Sequence, residues 1–422
     1  MTFPVSRYLA LKIYQSYTKQ SYTKQSYYVE PSSFITSIFS SSFKKWQDTA
    51  LRMVSGSGPA FDIVIFGASG YTGQYVIEYV VRNVEDDFKK QQGSVQEPRK
   101  LKWAVAGRSK DKLAKVLMSA SLNVPGFDHS TIELIVCDVK DESSLKKMVT
   151  QTKVLLNCVG PYRFSGEPVV KACAQYGTHY VDISGEPQFL ETMQLKYNDQ
   201  AAQNGTYIVG SCGFDSIPSD MGQVVVHRSM DGPVNTIETY LKADTPSDEP
   251  GAIINFATYQ SAIYGYAMAD ELKPIRKALF PQRLPNLKPK LPKRQAVHYN
   301  PLVKSWCLPF PGSDRSVMMR TQRGRYHEEN KRPVQIGSYV QFSSLFVTIM
   351  VILVGIVFGI MAKFALGRKL LEMFPGLFTL GAVSKQVCSY AFLFLVISFF
   401  KDIDFVIDRA LHAEWQKIQI LR

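Results

Sequence analysis

The most restrictive feature of this chain is an apolar run that ends in three spaced glycines. Residues 63–66 are β-branched and aromatic, which is typical of a buried parallel strand. Gly67 suits the tight turn after that strand, Gly70 lets a backbone approach a pyrophosphate, and Gly73 lets a helix pack against the sheet. Helical apolar spacing follows over residues 74–82, so a helix N-terminus would face the anion. This order of strand, glycine turn and helix predicts a dinucleotide site.

The second predicted strand, residues 102–106, leads into Arg108 and Ser109, where the ribose of a bound dinucleotide would lie. Sites that prefer NAD usually place a carboxylate here for the 2′-hydroxyl, whereas this chain offers a guanidinium and a hydroxyl. A planar fork of donors suits a 2′-phosphate, so the sequence favours NADP(H) over NAD(H). The alternative is a solvated arginine at the start of a loop. Residues 83–100 form a polar, charged insertion before this strand.

Four further apolar segments alternate with helical patterns along the next hundred residues. The predicted strands are residues 131–137, 153–158, 178–181 and 207–209, and the predicted helices are 109–120, 141–151 and 165–176. This alternation predicts an α/β fold of the Rossmann type, a doubly wound parallel sheet with ligands at the carboxyl ends of its strands. The predicted cofactor-binding residues are Gly67, Ser69, Gly70, Tyr71, Thr72, Gly73, Arg108, Ser109, Asp138, Asn157 and Gly160.

Hydride transfer needs a nearby acid, but the sequence assigns no catalytic residue outright. Four candidates follow predicted strands: Tyr162, Asp182, Glu186 and Asp215. Structural alternatives exist for three of them. Tyr162 could cap a pocket, Asp182 could hold a loop through backbone hydrogen bonds, and Asp215 could be a turn acid. Asn157 is better suited to ordering the backbone or lining the cofactor site.

Composition narrows the function classes. A chain of 422 residues is long enough for two packed domains plus extensions. Its six cysteines contain no CxxC pair and its six histidines are dispersed, so we expect buried thiols and no metal site. The net charge of +13 could suggest a nucleic-acid partner, but no DNA- or RNA-binding motif is present, so we expect none.

The C-terminal third contains a long apolar stretch. Residues 333–362 carry no charge, and 345–362 are almost wholly apolar over about the length that crosses hydrocarbon as a helix. A second charge-free run, residues 386–400, is short for a span. A single span, a monotopic hairpin and a buried core helix all remain open. The basic, proline-rich stretch 283–294 predicts a solvated loop or a contact with anionic headgroups.

Five motifs occur in an order that resembles the saccharopine dehydrogenase-like oxidoreductases, a membrane- and lipid-droplet-associated branch of the saccharopine dehydrogenase superfamily. They are GASGYTG at 67–73, AGRS at 106–109, LNCVGPY at 156–162, YVDISGE at 180–186 and GFDSIP at 213–218. The resemblance covers about residues 61–385 and extends to bacterial trans-acting enoyl reductases of glycolipid synthesis. It implies a Rossmann domain, an added α+β domain, a dinucleotide and a role in lipid or glycolipid metabolism, but no catalytic residue.

The expected organisation has five parts: 1–60, a non-family extension; 61–230, the Rossmann domain; 231–335, an α+β second domain; 336–400, a hydrophobic segment; and 401–422, an unfamiliar tail. Residues 1–29 hold basic but no acidic side chains, which resembles a transit peptide, although a disordered extension fits as well. Relatives continue beyond the last hydrophobic segment with a soluble stretch, so the resemblance leaves open whether the second domain is complete.

Three functional classes follow. The first is an NADP(H)-dependent reductase that acts on a lipid-linked substrate at a membrane or lipid-droplet surface. The second is a nucleotide-binding but non-catalytic protein at the same surface. The third, a soluble lysine-catabolic dehydrogenase, conflicts with the hydrophobic segment and with the absence of matching substrate motifs. The expected location is the endoplasmic reticulum membrane and lipid droplets with a cytosolic nucleotide domain. The N-terminal composition leaves the mitochondrion as an alternative location. The sequence predicts no oligomeric state.

Overall fold

The protein is described by a computed structural model that covers residues 58–84, 101–214, 216–230, 232–242, 254–378, 383–384 and 416–421. The expectations for the N-terminal extension, for most of the charged insertion, for Asp215 and for the run 386–400 lie outside these residues.

A six-stranded parallel sheet forms the first half of the described chain. Its strands are β1 (Phe61–Phe66), β2 (Trp103–Gly107), β3 (Glu133–Val136), β4 (Thr152–Asn157), β5 (His179–Asp182) and β6 (Ile208–Val209). The helices between them are α1 (Tyr71–Tyr79), α2 (Lys110–Asn123), α3 (Glu142–Thr150), α4 (Tyr162–Tyr176) and α5 (Pro187–Gln203). The order β3-β2-β1-β4-β5-β6 confirms the predicted doubly wound α/β sheet and places its switch point between β1 and β4.

Both faces of this sheet are covered, which explains why the last four residues of β1, Ile63–Phe66, are all apolar. Val64 and Phe66 of β1 join a buried cluster with α3, α4 and α5, whereas Ile63 and Ile65 join a second cluster with α1 and α2. Because successive side chains of a strand point to opposite faces, burial on both sides favours apolar residues at consecutive positions. The buried exception in β1, Asp62, pairs with Lys153. The core therefore holds the carboxyl ends of β1 and β4 side by side.

A five-stranded mixed sheet follows. Its strands are β7 (Thr236–Leu241), β9 (His298–Asn300), β10 (Ser305–Pro309), β11 (Gln335–Phe342) and β13 (Gln416–Leu421), in the order β13-β7-β11-β10-β9. The neighbouring helices are α6 (Ile217–Ser229), α7 (Phe256–Ala267), α8 (Leu272–Leu279) and α9 (Asp314–Glu328). Val226 of α6 and Met318 of α9 pack on Ile237 and Ile336 of the two central strands. A two-residue strand, β8 (Ile254–Asn255), pairs with β12 (Val383–Ser384).

The second sheet changes two expected boundaries. The sequence places the end of the α+β domain at residue 335, but β11 continues to Phe342 and pairs with both β7 and β10. The apolar segment therefore begins at Leu345 rather than at 336. Part of the expected tail also belongs to this sheet, because the backbone of β13 pairs antiparallel with β7.

The basic stretch 283–294 is not solvated throughout. Arg294 Nε lies 2.7 Å from Glu238 Oε1, and its Nη2 lies 2.6 Å from Glu238 Oε2. Glu238 is fully buried in the second sheet and also accepts a hydrogen bond from the Tyr240 hydroxyl. At Arg294 the expectation of a solvated or headgroup-binding side chain is therefore wrong, because a buried carboxylate needs a paired cation.

The apolar segment forms α10 (Leu345–Lys363), α11 (Ala365–Met373) and α12 (Pro375–Phe378). By length and composition alone, α10 could cross a membrane. Only 11% of its most apolar window is buried inside the protein. Ala362 of α10 packs with Tyr259 and Ile263 of α7 and with Leu371 of α11. Most of the remaining surface of α10 is exposed, so α10 is not a buried core helix.

Candidate functional site

The glycine turn after β1 is closely packed on the neighbouring strand end. Gly67 has φ of +82°, and a Cβ added there would lie 2.8 Å from Val159 Cγ2. A Cβ on Gly73 would lie 2.7 Å from Ala68 Cα and would also meet the Gly67 carbonyl. Only glycine meets both requirements without strain, because it accepts positive φ and has no side chain. The sequence interpretation of Gly67 as the turn and Gly73 as the packing residue agrees with this geometry.

The N-terminus of α1 is arranged to bind an anion. Gly70 is its N-cap residue, which has no side chain to cap the helix, and no side-chain hydrogen bond from elsewhere in the described part of the chain is seen at this end. The first-turn amides of a helix lack intrahelical partners and carry the positive end of the dipole. Ser69, Tyr71 and Thr72 are half-buried around the exposed Gly70. The cradle that a Cβ would fill and the uncapped helix end together fit the pyrophosphate of a dinucleotide.

The carboxyl end of β2 carries the two residues predicted to contact the ribose. Arg108 is exposed, and among the described residues none forms a hydrogen bond or ion pair with its guanidinium. Ser109 is the N-cap of α2 and accepts a hydrogen bond from Lys112 N at 3.4 Å. The next strand end carries Asp138, which is half-buried and accepts Lys140 N at 3.0 Å. The Arg108 fork is therefore open to a ligand, while Ser109 and Asp138 each organise a local turn.

Asn157, at the end of β4, is a backbone-ordering residue in this structure. It is fully buried, and its Oδ1 accepts a hydrogen bond from Val159 N at 3.0 Å. Its Nδ2 donates to the Tyr180 hydroxyl at 3.1 Å. These bonds fix the turn at Val159, which lies against Gly67 across the switch point and precedes the exposed Gly160. Asn157 thus shapes one wall of the site.

Asp182, at the end of β5, has two backbone partners and one side-chain partner. Its Oδ1 accepts Ser184 N at 2.9 Å and Ser211 N at 3.0 Å, and its Oδ2 accepts the Tyr180 hydroxyl at 2.8 Å. Burial raises the pKa of this carboxyl from 3.8 to about 6, although the hydrogen bonds partly offset the effect. The geometry matches the loop-holding alternative, because Asp182 joins the loops that follow β5 and β6.

Tyr162 begins α4, and its hydroxyl lies inside the same network. The hydroxyl donates to Asn157 O at 2.8 Å and is 3.4 Å from Ile183 N. Burial holds the pKa of Tyr162 well above its ordinary value, so the phenol stays neutral. Its ring packs on Phe189, with the centroids 5.6 Å apart. In this arrangement Tyr162 connects the ends of β4 and β5.

Glu186 caps the N-terminus of α4 from twenty-four residues further along the chain. Its Oε1 accepts Tyr162 N at 2.8 Å, and its Oε2 accepts Arg163 N at 3.2 Å. Ser261 of α7 donates to the same carboxylate at 3.0 Å, which ties the second part of the molecule to the Rossmann sheet. A carboxylate at a helix N-terminus is favoured by the exposed amides and by the dipole. The structure thus brings together Tyr162, Asp182 and Glu186, while Asp215 lies outside the described residues.

A second polar cluster was missed from the sequence. Glu191 of α5 is buried and receives Arg276 Nε at 2.8 Å and Arg276 Nη2 at 2.9 Å. Ser316 of α9 also donates to it at 2.7 Å. These residues are far apart in the sequence and no motif connects them, so only the folded chain shows that they stabilise the junction between the two sheets. Among the described residues no group of three or more His, Cys, Asp or Glu could hold a metal ion.

Comparison with known proteins identifies the family. A family model described as "Saccharopine dehydrogenase NADP binding domain" matches residues 63–209, which run from β1 to the end of β6. The human protein named "Saccharopine dehydrogenase-like oxidoreductase" is 43% identical over 328 residues, which is 77% of this chain and 74% of the human one. The chain belongs to the saccharopine dehydrogenase-like oxidoreductases. This confirms the resemblance drawn from the five motifs and supports a nicotinamide cofactor for the Rossmann domain.

Two further members of the family carry location terms in their names. The "Lipid droplet localized protein" of Caenorhabditis elegans is 38% identical over 320 residues, 75% of this chain and 71% of that protein. The "Probable mitochondrial saccharopine dehydrogenase-like oxidoreductase" of Arabidopsis thaliana is 34% identical over 351 residues, 78% of this chain and 74% of that protein. The family therefore includes members named for two different organelles.

Proposed function

We propose that this chain is an NADP(H)-dependent reductase that transfers hydride to a lipid-linked substrate at a membrane or lipid-droplet surface. The observation that carries the proposal is that one chain combines an uncapped glycine-turn helix N-terminus with a largely exposed apolar helix. The first feature suits a dinucleotide, and the second suits a lipid surface. Together they would present a lipid to the nicotinamide, which supplies hydride when bound.

The preference for NADP(H) rests on Arg108. Its guanidinium has no partner among the described residues, and it follows β2, the strand next to β1. A guanidinium binds a phosphate dianion through parallel charge-assisted hydrogen bonds, and it gains less from a neutral ribose hydroxyl. The description of the matching family model supports the same choice. In this proposal Arg108 reads the 2′-phosphate, while the N-terminus of α1 holds the pyrophosphate.

The surface association rests on α10 and α11. Phe346, Leu353, Ile360 and Leu366 are all more than half exposed, and they lie along one short stretch of chain. Soluble monomers rarely expose apolar patches this large, whereas burial of an apolar helix in lipid is favourable. The name of the C. elegans relative supports lipid droplets, and the name of the plant relative keeps the mitochondrion as the alternative. We place the chain at the endoplasmic reticulum and lipid droplets, with its nucleotide domain in the cytosol.

A second candidate function is a nucleotide-binding protein of the same surface that performs no chemistry. The observation in its favour is that Tyr162, Asp182 and Glu186 all use their polar atoms in hydrogen bonds within the fold. A general acid must reach the atom that it protonates, and these three groups hold loops and a helix end. Asp215, the fourth candidate, remains available to the reductase hypothesis.

Titration of the purified chain with NADPH and NADH, followed by a turnover screen with lipid extracts, tests the proposal. The reductase predicts tighter binding of NADPH and oxidation of NADPH that depends on the added lipid. Tight binding without turnover across neutral, phospholipid and glycolipid fractions would favour the non-catalytic candidate. Absence of dinucleotide binding would contradict both.

The surface association is tested with a triple variant, Phe346→Gln, Leu353→Gln and Ile360→Gln, which changes the exposed residues of α10 and keeps the buried Thr348 and Ala362. A control variant, Met118→Gln with Leu122→Gln, replaces comparably exposed residues of α2. The α10 variant should leave membrane and droplet fractions and the control should remain in them. Unchanged fractionation of the α10 variant would place the anchor elsewhere, and a wholly soluble wild-type chain would contradict the association.

A further inference from the structure

One arginine near the switch point has two of its three guanidinium nitrogens buried without a partner among the described residues. Arg163 is the second residue of α4, and its side chain is 13% exposed. Its Nη1 lies 2.9 Å from Glu271 Oε2 and 3.0 Å from Met268 Sδ. Its Nε and Nη2 are buried, and among the described residues neither atom has a hydrogen-bond partner. Burial of donors without partners is costly, so these two atoms require an acceptor.

The two unpartnered atoms form one edge of the guanidinium. This edge can donate two parallel hydrogen bonds to the two oxygens of a carboxylate. Two other arginines of this chain show what fills such an edge. Arg276 gives its Nε and Nη2 to Glu191, and Arg294 gives the same two atoms to Glu238. Both of those carboxylates are buried. Arg163 therefore has the geometry of a bidentate anion site whose carboxylate is not supplied by the described chain.

Two acids contact Arg163, and neither is bonded to its Nε–Nη2 edge. Glu186 binds the backbone N–H groups of Tyr162 and Arg163 and the Ser261 hydroxyl. Glu271 binds the guanidinium through Nη1 and so fixes the orientation of the buried, unpartnered edge. An outside acceptor would thus meet a pre-oriented fork, which lowers the entropy cost of binding it.

The position of Arg163 identifies the kind of ligand. It follows β4, the strand beside β1 at the switch point, where ligands of open α/β sheets bind. The cofactor phosphates are assigned to the N-terminus of α1 and to Arg108 after β2, on the other side of β1. The side of the site next to β4 and α7 is the side left for a substrate.

We infer that the Nε–Nη2 edge of Arg163 binds a carboxylate or phosphate group of the substrate. The assignment of this anion to a substrate rests on the proposed reductase function, whereas the anion site itself does not. It narrows the substrate to lipid-linked molecules that carry an oxyanion. Arg163 acts here as a positioning and specificity-determining residue that makes no direct contribution to hydride transfer.

The test is calorimetric titration of the NADP⁺-saturated chain with inorganic phosphate and, separately, with acetate. Arg163→Lys keeps the charge and the contact to Glu271 but loses the fork, and it should weaken phosphate binding at least tenfold. Arg163→Gln should weaken it at least as much. Glu271→Gln is the matched control, because it removes the Nη1 partner, leaves the fork in place and should retain phosphate binding. Saturation with NADP⁺ separates this site from the cofactor phosphate sites.

Equal phosphate affinity in wild type, Arg163→Lys and Arg163→Gln would overturn the inference and would mean that the fork holds only water. No phosphate or acetate binding to the wild type would overturn it as well. With a turnover assay in hand, Arg163→Lys should raise KM at least tenfold and change kcat by less than threefold, as expected for a contact made equally in ground and transition states. Free phosphate should compete with the substrate in wild type. A failed lipid screen contradicts the reductase alone, because the titration needs no turnover.

Discussion

The two halves of the Rossmann sheet end differently at their carboxyl edge. After β1 and β2 two groups are left without a side-chain partner within the described residues: the helix N-terminus at Gly70 and the exposed guanidinium of Arg108. After β4 and β5 the polar groups are buried and bonded to one another, as in the chain of contacts from Asn157 through Tyr180 to Asp182. The first edge is suited to bind a ligand, and the second edge, apart from the Arg163 fork, is suited to keep its own loops in place.

This difference separates two reasons for polar residues at strand ends. The rule that ligands bind at the carboxyl ends of parallel strands predicts polar residues at all of them. The loops that leave those ends also have backbone N–H groups that must be satisfied when buried. Asp182 and Glu186 meet this second need, each by accepting two backbone N–H groups. A hydrogen-bond census therefore distinguishes binding residues from loop-holding residues where sequence position cannot.

The largest effect is expected at the first edge, after β1 and β2, from substitution of the glycine at which α1 packs on the turn. Gly73→Val should abolish dinucleotide binding and lower the unfolding free energy by about 3 kcal/mol, because its side chain would meet the backbone of Ala68. Gly70→Val should also abolish binding, with a smaller cost to stability, because a Cβ there lies 3.1 Å from the Gly67 carbonyl. Fluorescence titration with NADPH and urea unfolding measure the two effects. Normal NADPH binding by both variants would contradict the site assignment.

At the second edge, after β4 and β5, we expect an effect on stability that depends on pH. The pKa of Asp182 is raised from 3.8 to about 6 in the folded chain, so folding favours its protonated form. Its contribution to stability is fully present below about pH 4 and is lost as the pH rises through 6. A tenfold change in an acid dissociation constant corresponds to about 1.4 kcal/mol, so the loss amounts to about 3 kcal/mol.

Asp182→Asn isolates this contribution, because asparagine does not titrate. Between pH 4 and pH 7 the unfolding free energy of the wild type should fall by about 3 kcal/mol relative to that of Asp182→Asn. Urea unfolding at several pH values measures that difference, and groups common to both proteins cancel. A difference that stays constant across this range would show that Asp182 is not desolvated as the structure indicates.

The sequence predicted the Rossmann half well because its signals are local. Burial on both faces favours consecutive apolar residues in a strand, and close packing requires glycine at Gly67 in the turn after β1 and at Gly73 in the first turn of α1. Both signals lie in neighbouring residues of the sequence. The six strands of the first sheet were predicted to within two residues at either end. The family relationship also rests on these local motifs.

The parts that escaped prediction depend on residues that are distant in sequence. Glu186 caps a helix that begins at Tyr162, and Glu191 pairs with Arg276 from beyond α7. No periodicity or motif in the sequence indicates either pairing, because each depends on how two distant elements pack in the folded chain. The boundary at residue 335 failed for a related reason. β11 is flanked by charge-free residues on its C-terminal side, so the sequence shows no break between the strand and α10.

The choice between NADPH and NADH at the first edge provides a more selective test, with a smaller expected effect. Arg108→Ala should weaken NADPH binding by about 1.5–3 kcal/mol, the value of a charge-assisted contact, and leave NADH binding nearly unchanged. Its unfolding free energy should match that of the wild type, because the exposed Arg108 side chain forms no hydrogen bond or ion pair with the described residues. Arg283→Ala, in an exposed loop of the second domain, serves as the control. Equal losses for both nucleotides would show that Arg108 does not bind the 2′-phosphate.

The smallest effect is expected at Ser109, where the features of both edges coincide in one side chain. Ser109 caps α2 through a hydrogen bond of 3.4 Å and also lies where the 2′-phosphate is proposed to bind. Because this cap bond is long, Ser109→Ala should lower the unfolding free energy by only about 0.5 kcal/mol, the low end for N-caps. Ser109→Asp keeps a capping oxygen and adds a charge that the helix N-terminus favours, so stability should be retained. The same carboxylate would repel a 2′-phosphate and accept a hydrogen bond from a ribose hydroxyl, so Ser109→Asp should shift preference from NADPH toward NADH. Titration of both variants with both nucleotides separates the two roles. If Ser109→Asp binds the two nucleotides in the wild-type ratio, Ser109 does not face the ribose and only caps the helix.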